Sequence, residues 1–133
     1  MKKVIVTGLF TIFIAAFISC GHDDNIPGII DGTWHLINVS GGFAGIDDDY
    51  AKGEVLWTFN PINAVLTVDN KIGNNHGFHL PSGTYSYTIE KDDNGTQILY
   101  VDNKNYRLVI LSISTRLTIW DGLVDGFTAE FKR

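Results

Sequence analysis

The chain has 133 residues, a formal net charge of −5 and 44 % hydrophobic residues, values that suit one globular domain with a modest core. Because nucleic-acid binding draws on clustered lysine and arginine, this acidic balance argues against a nucleic-acid partner. The single cysteine excludes an intramolecular disulfide.

Residues 1–19 have the layout of an export signal. Lys2 and Lys3 precede a short apolar run that ends in small residues, which is the order found in secretory signal peptides. A membrane-spanning helix needs roughly 20 predominantly apolar residues, and Thr7 and Gly8 interrupt this run. We therefore predict a signal peptide over 1–19 rather than a transmembrane anchor.

Cys20 stands where the apolar run gives way to charge. The residues FISC resemble the lipobox of bacterial lipoproteins, in which the cysteine is lipidated and becomes the new N-terminus. The resemblance implies a fatty-acyl anchor on Cys20, such as palmitate, and attachment to the outer membrane without a spanning helix. The alternative is a cysteine in an ordinary signal peptide that is cut a few residues later.

Residues 20–30 are predicted to form a flexible tether, because the stretch GHDDNIPG after Cys20 is polar and closes in proline and glycine. Asp23 and Asp24 resemble the acidic tract that directs some Gram-negative lipoproteins to the cell surface. The alternative is a solvated linker that carries no address. The folded domain is then expected over 31–133, with a membrane as one partner through the anchor.

From Asp31 onward the chain alternates apolar and polar residues. TYSYTIE places Tyr85, Tyr87 and Ile89 on one face, and this period of two is typical of half-buried β-strands. No stretch after Cys20 keeps a helical period for ten residues. Eight strands are predicted, over 32–39, 54–60, 63–69, 83–90, 96–102, 105–113, 115–121 and 126–132.

Short connections link several of the predicted strands. DDNG at 92–95, DNKN at 102–105 and NPIN at 60–63 favour tight turns between neighbours. Sequential hairpins predict an all-β fold, an eight-stranded antiparallel up-and-down barrel without exposed sheet edges. A two-sheet β-sandwich is the alternative. The glycine-rich segments 40–53 and 70–83 are predicted to be long surface loops.

GTW at 32–34, on the first predicted strand, is similar to the opening motif of the lipocalins. Together with the lipobox it resembles the small lipocalin-like lipoproteins of Gram-negative bacteria. The resemblance implies that Trp34 closes one end of the barrel beneath an arginine from the last strand, and Arg133 is the candidate for that arginine. The family's T-D-Y motif is absent, because the chain reads ILSISTRL at that place.

One face of each barrel strand points inward, and the large side chains on that face are candidates for lining a ligand cavity. Hydroxyl and indole groups among apolar walls are the usual composition of a small-molecule site. The alternative is a plain core in which these side chains fill the interior. The candidates are Trp57, Phe59, Tyr85, Tyr87, Leu108, Ile110 and Phe127.

The sequence contains no motif for catalysis or cofactor binding, since it lacks a G-x-S-x-G elbow, a P-loop and a dinucleotide fingerprint. His76 and His79 could provide two metal ligands, but the others that zinc requires are missing. We expect a non-enzymatic protein without a cofactor or metal.

Two functions remain open. One is a lipoprotein that binds a small apolar or amphipathic ligand in its barrel. The other is a structural or interaction lipoprotein with a filled core that contacts another envelope protein.

Overall fold

The structure is a computed structural model that describes residues 30–73, 80–102, 104–109 and 115–133. The regular elements in these residues are β-strands, and the described part of the chain contains no helix long and apolar enough to cross a membrane. The strands are β1 (Gly32–Gly41), β2 (Ile46–Asp49), β3 (Val55–Asn60), β4 (Val65–Asn70), β5 (Gly83–Lys91), β6 (Gln97–Val101), β7 (Lys104–Val109), β8 (Arg116–Trp120) and β9 (Phe127–Lys132).

The strands form one antiparallel meander. From β3 to β9 each strand pairs with the next, and β1 pairs with β3 on one edge and with β9 on the other. Strands β1 and β3–β9 therefore make a nearly closed eight-stranded barrel. This confirms the predicted all-β antiparallel barrel, because the β1–β9 pairing joins the two ends of the sheet and leaves no separate sheets for a sandwich.

The segment 40–53 differs from its prediction as a long loop, because it contains β2. Gly42 and Gly45 have φ angles of 71° and 64°, and the amide of Gly45 donates to the Gly42 carbonyl at 3.0 Å. This turn returns the chain along the part of β1 that β3 does not reach. Strand β2 reads IDDD and lacks alternating apolar residues, so backbone pairing with β1 holds it without a buried face.

The pairing between β1 and β9 shifts register at Ile37. Ile37 is the extra residue of a β-bulge, which moves the alternation of the strand by one position. As a result Trp34, Leu36 and Val39 are all buried, although a regular strand would put Val39 on the opposite face from the other two.

The inner faces of the strands build one hydrophobic core. In β3 the buried Val55, Trp57 and Phe59 alternate with more exposed neighbours, as expected for the wall of a small barrel. The other strands of the barrel contribute buried side chains such as Leu66, Val68, Leu99, Val101, Leu117, Ile119, Ala129 and Phe131.

The two ends of the barrel are different. The chain enters at Ile30 and leaves at Arg133, both at the end where β1 begins and β9 finishes, which we call the Trp34 end. The opposite end carries the turn 42–45 and the loop 121–126, and we call it the loop end.

Candidate functional site

At the Trp34 end, the indole of Trp34 and the guanidinium of Arg133 lie against each other. Trp34 is buried, and its indole N–H donates to the Ile30 carbonyl at 2.6 Å. The guanidinium carbon of Arg133 lies 4.4 Å from the centroid of the Trp34 ring, within cation–π range. The same guanidinium donates to the Asp31 carbonyl at 2.6 Å. The structure thus brings Trp34 and Arg133 together, and these contacts join the two ends of the described domain.

Trp57 lies in the middle of the core. Its side chain is fully buried, and its ring centroid lies 6.2 Å from Phe59, 6.1 Å from Tyr106 and 5.1 Å from Phe131. Tilted and edge-to-face rings at these distances attract one another. Its indole N–H has no hydrogen-bond partner among the described residues, so the described role of Trp57 is packing.

The other described candidates for the cavity lining join the same cluster. Phe59 and Tyr87 are buried, and their rings meet edge to face at 5.2 Å. Tyr85 and Phe127 are partly buried and pack against the core, and the Tyr85 hydroxyl donates to a backbone carbonyl at 2.8 Å. These described side chains therefore pack in or against the hydrophobic core.

Several predicted residues lie outside the described part of the chain: Cys20, Ile110, His76 and His79. For Leu108 the structure describes the backbone, which pairs with β8, and not the side chain. Among the described residues, no group of three His, Cys, Asp or Glu side chains is placed to hold a metal ion.

Tyr106 belongs to the interior, and sequence reasoning missed it. In NYRLVI it has the same parity as Leu108, so the period of two could have found it. Burial, and after it the charges of Asp121 and Tyr85, raise the pKa of Tyr106 to about 12. The phenol therefore stays protonated at neutral pH, and the aromatic core carries no charge there.

A groove with a cavity volume of about 410 Å³ lies on the outer wall of the barrel. Ile98 and Tyr100 line it, and they point outward because they alternate with the buried Leu99 and Val101. We call this feature the outer groove. Its lining also includes Asp92, Asn105, Asp121, Gly122, Leu123 and Tyr106, whose ring also packs against Trp57 in the interior.

Two segments meet at the loop end. The amide of Gly42, in the turn 42–45, donates to the carbonyl of Gly126, in the loop 121–126, at 3.0 Å. The Asp121 carboxylate braces the second segment by accepting from two backbone amides, at 3.1 and 3.0 Å. Hydrogen bonds from backbone amides, to the Gly126 carbonyl and to the Asp121 carboxylate, therefore hold both segments in place.

Large apolar side chains project from these two segments into solvent. Phe43 is 96 % exposed, Leu123 64 % and Val124 101 %. We call the two segments with these three side chains the apolar loop pair. Three of the four exposed large hydrophobic side chains in the described residues lie on these two segments.

The chain was compared with models of protein families, with curated proteins and with solved structures, and none of these comparisons found a match.

Proposed function

We propose that this protein is a lipid-anchored envelope protein that acts by binding another protein at the surface of a filled barrel, without enzymatic activity. The observation that supports it best is Trp57, which is fully buried and surrounded by three aromatic rings. A ligand in the middle of the barrel would have to displace these side chains. A surface role requires no such rearrangement.

The energetics favour the surface role. Truncating a buried Phe or Trp costs about 3–5 kcal/mol, and a small domain has only about 5–15 kcal/mol of stability in total. Opening space beside Trp57 would remove contacts of that kind from several rings at once. The gain from burying a small apolar ligand, about 25 cal/mol per Å², would therefore be largely offset.

The anchor is the second part of the proposal and rests on the sequence. Lys2 and Lys3, the short apolar run and the FISC motif support acylation of Cys20 and attachment to the outer membrane. Metabolic labelling with a tagged fatty acid should mark the wild-type protein and not Cys20→Ala. Equal labelling of both proteins would contradict the anchor.

Cross-linking in intact cells tests the partner. An amine-reactive reagent should give one reproducible adduct, in which mass spectrometry identifies a second protein. The Cys20→Ala variant, released from the membrane, should lose most of that adduct. If the anchored protein stays monomeric at every reagent concentration, the interaction role is wrong.

The outer groove supports a second candidate function, the binding of a small apolar or amphipathic ligand outside the core. Its volume of about 410 Å³ falls in the range of small-molecule sites. Calorimetric titration with palmitate and with a hydrophobic dye separates the two locations. Saturable binding that is lost in Tyr100→Ala but kept in Tyr87→Ala would favour the groove. Binding that is lost in Tyr87→Ala but kept in Tyr100→Ala would place the ligand inside the barrel and contradict a filled core.

A further inference from the structure

The apolar loop pair combines exposure with rigidity. Phe43 and Val124 project from segments that the bond between Gly42 and Gly126 joins at 3.0 Å. Chain geometry then keeps their Cα atoms less than about 20 Å apart. Single exposed apolar residues are ordinary on protein surfaces, but several on one fixed surface mark an interaction site.

The two segments carry charges of one sign. The segments 42–49 and 121–126 contain Asp47, Asp48, Asp49, Asp121 and Asp125, and neither segment contains a lysine, arginine or histidine. Two of these carboxylates are fixed in place, because the Asn38 side chain donates to Asp47 at 2.7 Å and to Asp49 at 3.0 Å. An apolar centre with an acidic rim suits a partner with an apolar centre and a basic rim.

The position of the loop pair favours a protein over a membrane. The described chain begins at Ile30, at the Trp34 end, and the loop pair lies at the opposite end. An anchor on Cys20 would be joined to the domain through its Trp34 end, so that the loop end would stay accessible to a partner. The aspartates would also be repelled by anionic lipid headgroups.

We propose that the apolar loop pair is a docking surface for a protein that presents apolar side chains ringed by lysine and arginine. Phe43 and Val124 supply the buried anchors of the interface, and the aspartates speed association and select for basic partners. This inference rests on the proposed function, since it specifies where the partner binds and what chemistry it offers. Fixed loops lose little conformational freedom on binding, which favours affinity.

Site-specific photo-cross-linking in cells tests this surface on the full, anchored chain. A photoreactive phenylalanine analogue is placed at position 43 or 124 and, as a matched control, at position 62, because Ile62 is 95 % exposed in the turn at the opposite end of the barrel. We expect positions 43 and 124 to yield the protein adduct that the amine-reactive reagent gives, and position 62 to yield none.

Substitutions test the apolar and the charged contacts separately, in binding measurements with the partner protein that mass spectrometry identifies in that adduct. Phe43→Ser should weaken binding about tenfold or more, as expected for an aromatic anchor, while Ile62→Ser should leave it unchanged. Asp125→Lys should slow association at low salt but not at high salt, whereas Asp93→Lys, in the turn after β5, should have no such effect. Unchanged unfolding temperatures of all four variants verify that they are folded.

The failures of the two proposals are distinguishable. An amine-reactive adduct without photo-adducts at 43 and 124, or with equal yield at 62, overturns the docking surface and leaves the interaction role standing. Photo-adducts with lipid, or with a second copy of this chain, also overturn it. No adduct with either reagent overturns both proposals.

Discussion

At the scale of single residues, Trp34 and Arg133 join the start and the end of the described domain. Trp34 is buried and bonded to Ile30 at 2.6 Å, whereas Arg133 is an exposed side chain that covers its ring. The first is a core residue, and the second contributes a cation–π contact and a hydrogen bond at the surface. Substitutions at the two positions should therefore lower the free energy of unfolding by different amounts.

Trp34→Ala should lower the free energy of unfolding by about 3–5 kcal/mol, the usual cost of truncating a buried Phe or Trp. Arg133→Ala should lower it by about 1 kcal/mol, because exposed cation–π contacts contribute about 0.5–1 kcal/mol. Lys132→Ala, at an exposed neighbouring position, is the control and should change little. Urea denaturation measures all three, and equal effects of the first two would contradict the stacking described for this end.

Tyr106 makes stability depend on alkaline pH. Its pKa in the folded state is raised to about 12, above the unfolded value of about 10. The folded state therefore holds the proton more tightly, and this contribution is complete below pH ~10 and is lost as pH rises through ~12. Tyr106→Phe has no phenol to ionise, so its urea midpoint should fall less than that of the wild type over this range. Parallel curves for the two proteins would contradict the burial of the Tyr106 hydroxyl.

At the scale of elements, the turn between β1 and β2 depends on glycine at a close approach. Gly41 has a φ of 116°, and a Cβ there would collide with the carbonyl oxygen of Gly126. Gly45 also has a positive φ, 64°, but open space around its Cα. Gly45→Ala should cost about 1–2 kcal/mol from backbone strain alone. Gly41→Ala should cost more, because the collision adds to the strain, and thermal unfolding of the pair checks this; equal losses would show that the two loops separate freely.

The sequence could predict those strands in which apolar and polar residues visibly alternate. Val55, Trp57 and Phe59 alternate with less buried residues, and their strand was predicted within one residue of its observed start. Strand β2 has no such pattern, because an edge strand held by backbone bonds needs no apolar face. The bulge at Ile37 was equally invisible, since register shifts depend on pairing with β9 across the whole domain.

The candidate site divides in the same way. The period of two predicted that Trp57 and Tyr87 point inward. It could not predict whether they enclose a cavity, because this depends on the distances between strands that are remote in sequence. Tyr106 completes the aromatic cluster around Trp57 and was overlooked although its parity matched. The apolar loop pair was unpredictable for a different reason: the segments that carry Phe43 and Val124 meet, through the bond between Gly42 and Gly126, only when β1 pairs with β9.

At the scale of the whole molecule, the central claim is that the barrel interior belongs to the protein's own side chains and that function lies on its surface. Three features support this claim: the contact between Trp34 and Arg133, the rings around Trp57, and the exposed apolar side chains with nearby aspartates at the loop end. On the proposed function, a filled barrel would hold the turn 42–45 and the loop 121–126 in fixed positions and present them to a partner. A barrel that takes a ligand into its interior would instead require the side chains around Trp57 to move.

Fluorine NMR of the intact protein labelled with 5-fluorotryptophan tests this claim most directly, because the chain has three tryptophans and conservative substitutions assign each resonance. We predict that the Trp57 signal shows no shift between H₂O and D₂O and does not move on addition of palmitate, a porphyrin or a hydrophobic dye. A Trp57 signal that senses the solvent isotope, or that shifts saturably with any of these ligands, would contradict the account and return the function to the barrel interior.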